Sequence, residues 1–541
     1  MTVGVGPREI AAILAARAAG GATRLLRRGG GTALPGLVAE RIAPAILQRM
    51  TRQLRRGTII VTGTNGKTTT SRMLGAILHA AGWRTIHNRS GSNLVRGLIA
   101  TVVQSSNAAG HLHADAALFE VDEATVPAVA AQVRPRLLVI NNLFRDQLDR
   151  YGEIDTVARR WRETLGALDG RSTVLLNADD PGVAALGRHT GAQVRYYGVA
   201  DTRQALAVLP HAADAIDCPI CDHRLVYSAI LLSHLGHYAC SQCGFTRPTP
   251  DIVAETVELL GTEAARLTVR SPQGHFTVQI ALPGFYNAYN GLAATAAALL
   301  LGLGPAVIGQ GLGQSSAAFG RIERVRAGDT GKSLLLALVK NPVGFNEVLR
   351  MLFPPEPATS PPAPPLQREG SETANPIGAG SALGVPPPPP APPRKREGSA
   401  TANPIGKGSA LETPPPPSGE GVGGWGQRGR HLLIILNDLT ADGRDVSWLW
   451  DVDFEVLGAP GRVAQATCAG LRATDMANRL KYAGLAPAQL RVIEDLEPAL
   501  EATLAALPPG DTLYVLPTYT AMLAFRALLQ DRGWVAGFWE Q

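Results

Sequence analysis

The chain has 541 residues, of which 45% are hydrophobic and 18% charged, with a net charge of +6. That length exceeds one ordinary hydrophobic core, so about two to four domains are expected. No stretch approaches the roughly 20 uninterrupted apolar residues of a membrane span, and the basic residues are not clustered beside interleaved aromatics as a nucleic-acid groove requires. A membrane-spanning protein and a nucleic-acid binder are therefore both disfavoured.

In chain order, residues 1–50 read as a helical segment. Arg8, Arg17, Arg24, Arg27 and Arg28 interrupt its alanines, so no clean apolar stretch of a signal peptide forms. A solvated helix packed on the next domain suits this composition better than one touching anionic lipid. The protein is expected in the cytoplasm, or peripherally at the inner face of the membrane.

Residues 51–325 form the expected central domain. A strand at 57–61 runs through the turn 62–66 into a helix from residue 67, and further apolar strands follow at 116–121, 136–141, 172–177 and 193–198. Strands alternating with helical lengths imply a parallel sheet covered by helices. After Cys243 the texture becomes three alternating strands, read as an antiparallel flap attached to the same domain, and then an alanine-rich helix from about residue 287.

A third α/β unit, Rossmann-like, is expected over residues 326–541, with strands at 333–339, 431–436, 465–470, 490–495 and 512–517. Residues 354–430 within it are rich in Pro, Gly and Ser, and 368–383 recurs almost unchanged at 396–411. Such composition buries too little apolar surface to fold and reads as a disordered insertion.

Gly63, Thr64, Asn65, Gly66, Lys67, Thr68 and Thr69 lie between a strand and a helix, where backbone N–H groups and a helix N-terminus can surround phosphate oxygens. Lys67 would bridge the terminal phosphates of ATP, and Thr68 would hold Mg²⁺. A strict P-loop has glycine where this chain has Val61. Glu120 ends a strand where a second magnesium ligand is needed, while Asp122 and Glu123 read more readily as solvated acids.

Cys218, Cys221, Cys240 and Cys243 are spaced as two pairs that can each present two thiolates to one tetrahedral Zn²⁺, in a ribbon inserted at about 215–247. Four sulfur ligands leave no site for water, so the zinc would be structural. His223, His234 and His237 read as ordinary loop residues. Cys468 stands alone after an apolar strand and reads as a core residue.

These motifs, with the strand end at 119–123, the stretch from Asn141 to Glu153, the turn 176–181, the helix start at 283–294 and Gly320 to Glu323, resemble in order those of the Mur ligase family. Members phosphorylate a carboxylate with ATP and let an amine displace the phosphate. The resemblance implies phosphate and magnesium binding at Lys67, Thr68 and Glu120. It places Asn177, Asp179, Asp180, Asn287, Asn290 and Arg321 near the nucleotide. Two departures stand out: Gln147 replaces a metal-binding histidine of amino-acid-adding members, and Trp161 replaces their carbamylated lysine.

The segment Asn437 to Trp448, the stretch 338–346 and the four-cysteine ribbon together resemble the amidating branch of the family. That branch partners a GatD-type glutaminase and amidates the D-glutamate α-carboxylate of lipid II at the membrane surface. The resemblance implies that Asp445 completes the glutaminase triad of the partner. Two other roles stay open for Asp445: facing ATP, as the corresponding motif of other Mur ligases does, or a plain solvated acid. The alternative activity is a Mur-type ligase adding an amino acid, like tripeptide or folylpolyglutamate synthetases. A nucleotide-dependent scaffold would leave Lys67, Thr68 and Glu120 without purpose.

Overall fold

Among the described residues, seventeen strands build two main sheets and a hairpin. In chain order they are β1 Thr58–Thr62, β2 Thr85–His87, β3 Ala116–Glu120, β4 Leu137–Ile140, β5 Thr173–Asn177, β6 Gln193–Val199, β7 Val226–Leu232, β8 Leu235–Ala239, β9 Ile252–Leu260, β10 Ala264–Ser271 and β11 Gly274–Ile280. They continue with β12 Glu323–Arg326, β13 Ser333–Leu336, β14 Arg430–Ile435, β15 Val463–Ala469, β16 Leu490–Val492 and β17 Thr512–Pro517. This computed structural model describes residues 5–25, 33–88, 92–144, 153–214, 216–315, 322–354 and 429–535. The sequence expectations for Arg321, for Gln147 and for nearly all of the proline-rich insertion lie outside them.

The first sheet has nine strands in the order β11-β10-β9-β6-β5-β4-β1-β3-β2. All pairs from β9 to β2 are parallel. β1, β3 and β4 are buried along their whole length, as expected for parallel strands covered on both faces. β9, β10 and β11 pair antiparallel with one another. They form the expected flap attached to this domain, and they extend the same sheet because β9 hydrogen-bonds alongside β6.

One face is packed by the helices Lys67–Ala80 and Phe285–Leu300, whose Met73, Leu74, Leu292 and Ala296 join Val61 and Leu118 in one core. The opposite face carries the helices Pro7–Leu25 and Ala33–Ile42: Ala12, Ile13, Ala16 and Ala39 are buried with Ile60, Phe119 and Trp161. The arginine-bearing N-terminal helix thus turns its small apolar residues inward.

The second sheet has the order β12-β13-β17-β14-β15-β16, parallel except for β12 with β13. β13 and β14, which flank the insertion in sequence, both pair with β17. Cys468 is fully buried in β15, and burial pushes its thiol up to about 12.

Candidate functional site

Gly63 follows β1 with φ of 134°, and Gly66 caps the helix Lys67–Ala80 with φ of 80°. A side chain at Gly66 would strike Asn290 Oδ1 at 2.0 Å, so this turn admits only glycine. The loop is then held by asparagines. Asn65 N–H donates to Asn142 Oδ1 (2.8 Å), and Asn142 Nδ2 returns a bond to the Asn65 carbonyl (3.1 Å). Asn341 Nδ2 reaches Asn65 Oδ1 at 3.0 Å from the far side of the cleft. Asn65 Nδ2 is buried and has no partner among the described residues.

Lys67 Nζ donates to the Thr64 carbonyl (3.2 Å) and pairs with Glu123 at 3.0 Å. Burial raises the Glu123 carboxyl, against the pull of Lys67. Glu123 is thus a partly buried partner of Lys67 and not a solvated acid, a correction to its sequence reading. Thr68 Oγ1 donates to Glu120 Oε1 at 2.8 Å. Glu120 is fixed through its backbone, since Asn88 donates to its carbonyl (2.8 Å) and accepts from its N–H (2.9 Å).

These residues line a cleft of about 380 Å³ that includes Thr64 to Thr69, Glu120, Asn177, Asn287 and Asn290. Its other wall comes from the second sheet's helices and loops, including Lys340, Asn341, Glu347, Ala441 and Tyr519. Asn341 Oδ1 caps the helix Pro342–Leu352 through Gly344 N–H (2.9 Å), which fixes it opposite the loop.

Asp179 does not line this cleft. It is fully buried behind it, accepting from Arg247 (2.6 Å), Tyr289 (2.8 Å) and the Val199 N–H (2.8 Å). Burial, then the charge of Asp179, pushes the Tyr289 hydroxyl well up. Asp180 caps the helix Pro181–Leu186 and accepts from Leu143 N–H (2.8 Å). His234 lies in the turn between β7 and β8 as expected of a loop residue, but it is fully buried, 3.4 Å from Asp180, with its ring centroid 4.7 Å from that of Phe144. Trp161 is fully buried and donates to the Glu123 carbonyl at 3.0 Å.

The four cysteines lie apart from the cleft, flanking the β7–β8 hairpin, with all four Sγ atoms within 4.8 Å of one another. Both pairs sit in matching turns: Asp222 N–H bonds to the Cys218 carbonyl (2.9 Å) and Gly244 N–H to that of Cys240 (3.2 Å).

After β14, Asp438 pairs with Arg472 at 2.7 Å, and Asp442 accepts from Thr520 N–H (2.8 Å). Asp445 alone of the three points outward; it is exposed, does not line the cleft, and accepts from Ser447 N–H at 2.8 Å. Hydrogen bonding from Ser447 holds its carboxyl below the usual carboxylate range.

Sequence reasoning gave no role to Asn141, Asn142, Lys340, Asn341 or Glu347. The doubled asparagine ending the strand at 136–141 and the Asn-Pro step at 341 were the available signals, a strand end and a helix cap.

Among known proteins, the Mur ligase middle domain matches residues 61–215 and the MurT ligase C-terminal domain matches residues 402–522. The lipid II isoglutaminyl synthase (glutamine-hydrolyzing) subunit MurT of Streptococcus pneumoniae is 30% identical over 512 residues, spanning 94% of each chain. A pseudomurein peptide ligase type C from Methanothermus fervidus shares the fold with a TM-score of 0.58 at 19% identity, covering 89% of this chain and 80% of its own. MurF ligase from Thermotoga maritima, solved in complex with ADP, aligns with a TM-score of 0.55 at 10% identity over 91% of this chain and 85% of its own. The fold is that of the Mur ligases, and with a relative of that identity spanning both sequences nearly end to end, the chain belongs to the MurT family.

Proposed function

We propose that this chain is the synthetase subunit of a lipid II isoglutaminyl synthase. It would activate the α-carboxylate of the stem-peptide D-glutamate with ATP as an acyl phosphate, and ammonia from a GatD-type glutaminase partner would displace the phosphate. The observation that carries the nucleotide half is the cradle itself: an asparagine-braced glycine loop at a helix N-terminus, with the Thr68 hydroxyl 2.8 Å from Glu120. Asn65 Nδ2, buried and without a partner among the described residues, is a donor suited to an acceptor oxygen.

Lys67 would neutralise charge on the transferred phosphoryl group, and the loop N–H groups would orient it, which is most of what phosphoryl transfer asks of a protein. Thr68 and Glu120 supply oxygen ligands suited to Mg²⁺, which when bound would neutralise phosphate charge. Asn177, Asn287 and Asn290 would contact the nucleotide from the same cleft, and the family resemblance assigns Arg321 to the nucleotide as well. Asp179 and Asp180 would act behind it, holding the cleft's floor.

The distances from Cys218 Sγ to Cys243 Sγ (3.6 Å) and from Cys221 Sγ to Cys240 Sγ (3.5 Å) are close to the roughly 3.8 Å edge of a tetrahedral zinc–thiolate site. The donors fit Zn²⁺, and a zinc ribbon inserted between β6 and β9 would stiffen the hairpin. Asp445 is exposed and does not line the nucleotide cleft, which supports its role as the acid of a triad shared with the glutaminase. The amino-acid-adding alternative is disfavoured by Trp161, a buried indole without metal-binding chemistry where the resemblance expects a carbamylated lysine.

The test is to purify the chain with and without a GatD-type partner and follow lipid II by mass spectrometry. The complex should convert the carboxylic acid to the amide with glutamine and ATP. Unchanged lipid II under both glutamine and ammonium salt would overturn the proposal.

A further inference from the structure

A second cavity of about 350 Å³ lies beside the cleft, between the loop at 206–211 and the helix Pro342–Leu352. Val343 and Glu347, one turn apart on that helix, line both cavities. Glu347 is only 5% exposed, and its Oε2 has no hydrogen-bond partner among the described residues.

The cation on the next turn does not satisfy this carboxylate. Arg350 approaches Oε1 only to 3.8 Å, and its guanidinium donates instead to the carbonyls of Leu231 (2.7 Å) and Gln204, lying over the Phe285 ring. Burial raises the Glu347 carboxyl in spite of Arg350. The other titratable or charged groups lining the second cavity are His211 and Asp453, paired at 2.8 Å, and Arg462. For packing alone a neutral side chain of the same shape would serve better, because a buried acid without donors is destabilising.

We propose that Glu347 forms an ammonium site in the wall between the second cavity and the nucleotide cleft, taking one proton from the incoming cation so that ammonia enters the cleft. This rests on the amidation reading above. An orphaned anionic acceptor calls for a small N–H donor with positive charge, and amidation consumes one nitrogen whose lone pair must be free. Ammonium gives one proton to the Glu347 carboxylate. The freed lone pair forms the C–N bond, and the C–O bond to phosphate breaks with its electrons leaving on phosphate. The new nitrogen then sheds a second proton to the departing phosphate or water. Glu347 returns its proton to solvent through the second cavity.

The test uses the full chain with its glutaminase partner and two nucleophiles, ammonium salt and hydroxylamine, which is neutral near neutral pH and needs no proton removed before attack. Glu347→Gln should raise the KM for ammonium by about tenfold or more, while hydroxamate formation and the KM for ATP stay within about twofold. Glu347→Asp, which keeps a carboxylate, should recover part of the ammonium-driven rate, and it carries the comparison should the glutamine variant not fold. Equal loss with both nucleophiles, or no loss with ammonium, would overturn the ammonium site. A wild-type complex that makes neither amide nor hydroxamate would instead overturn the amidation reading, and this one with it.

Discussion

The Thr68 hydroxyl donates a 2.8 Å hydrogen bond to Glu120 Oε1, joining the first turn of a helix to the end of the neighbouring parallel strand. Two oxygens brought together in this way can turn to a shared cation, while Lys67 stands beside them paired with Glu123. Lys67→Ala should abolish ATP turnover, a loss of about 10³-fold or more, since it deletes a charge on the transferred phosphate. The circular dichroism spectrum should be unchanged. Undiminished phosphate release in that variant would remove the nucleotide assignment.

Protein purified without chelators should carry about one zinc per chain, measured by elemental analysis. Replacing Cys218 and Cys221 with serine should empty the site and lower the melting temperature. Cys468, with its thiol pushed up to about 12 by burial, should resist alkylation in the folded protein.

Asp179 holds Arg247 at 2.6 Å and Tyr289 at 2.8 Å in a fully buried position. Asp179→Asn leaves the Arg247 charge without its partner, and urea unfolding should show a loss of about 3–5 kcal/mol. A variant as stable as the wild type would show that the pair contributes nothing.

Asp445→Asn separates two placements of that carboxylate. Glutamine-driven amidation should stop, because asparagine cannot stabilise the partner's imidazolium. Ammonium salt bypasses the glutaminase, so ammonium-driven amidation should survive, whereas Lys67→Ala should fail with either nitrogen source. Loss of the ammonium-driven rate in Asp445→Asn would place the residue at the nucleotide instead.

Glu347 has a folded pKa raised above its ordinary 4.5 by burial. Its contribution to stability is therefore fully present below the unfolded value and is lost as pH rises through the folded one. Glu347→Gln, fixed in the neutral form, should melt at the same temperature as the wild type near pH ~4 and above it near pH ~7. Equal melting temperatures at both pH values would show that the buried acid is not destabilising.

What the sequence determined by itself was whatever rests on neighbours in the chain. Strand, glycine turn and helix at 57–82 follow from local periodicity and the positive φ that Gly63 and Gly66 must adopt. The two cysteine pairs are legible because each sits within a single turn. The parallel strands of the first sheet are legible because strands covered on both faces read as apolar runs.

Only the tertiary structure decided which polar residues meet. Asn341 contacts Asn65 across 276 residues of sequence, and no local pattern distinguishes it from an ordinary helix cap. Asp179 sits in a motif that suggested a ligand, but packing turned it away from the cleft toward Arg247. The three strands after Cys243 alternate as a flap attached to the domain would, and the pairing of β9 with β6 is what makes them part of the main sheet. Glu347 lies on an amphipathic helix where an acid reads as a solvated face, and its burial follows from the approach of the 206–211 loop and the second sheet. Hydrophobic periodicity sets which face of an element turns inward. The partners of a buried charge depend on elements distant in the chain, and the pattern of apolar residues does not encode them.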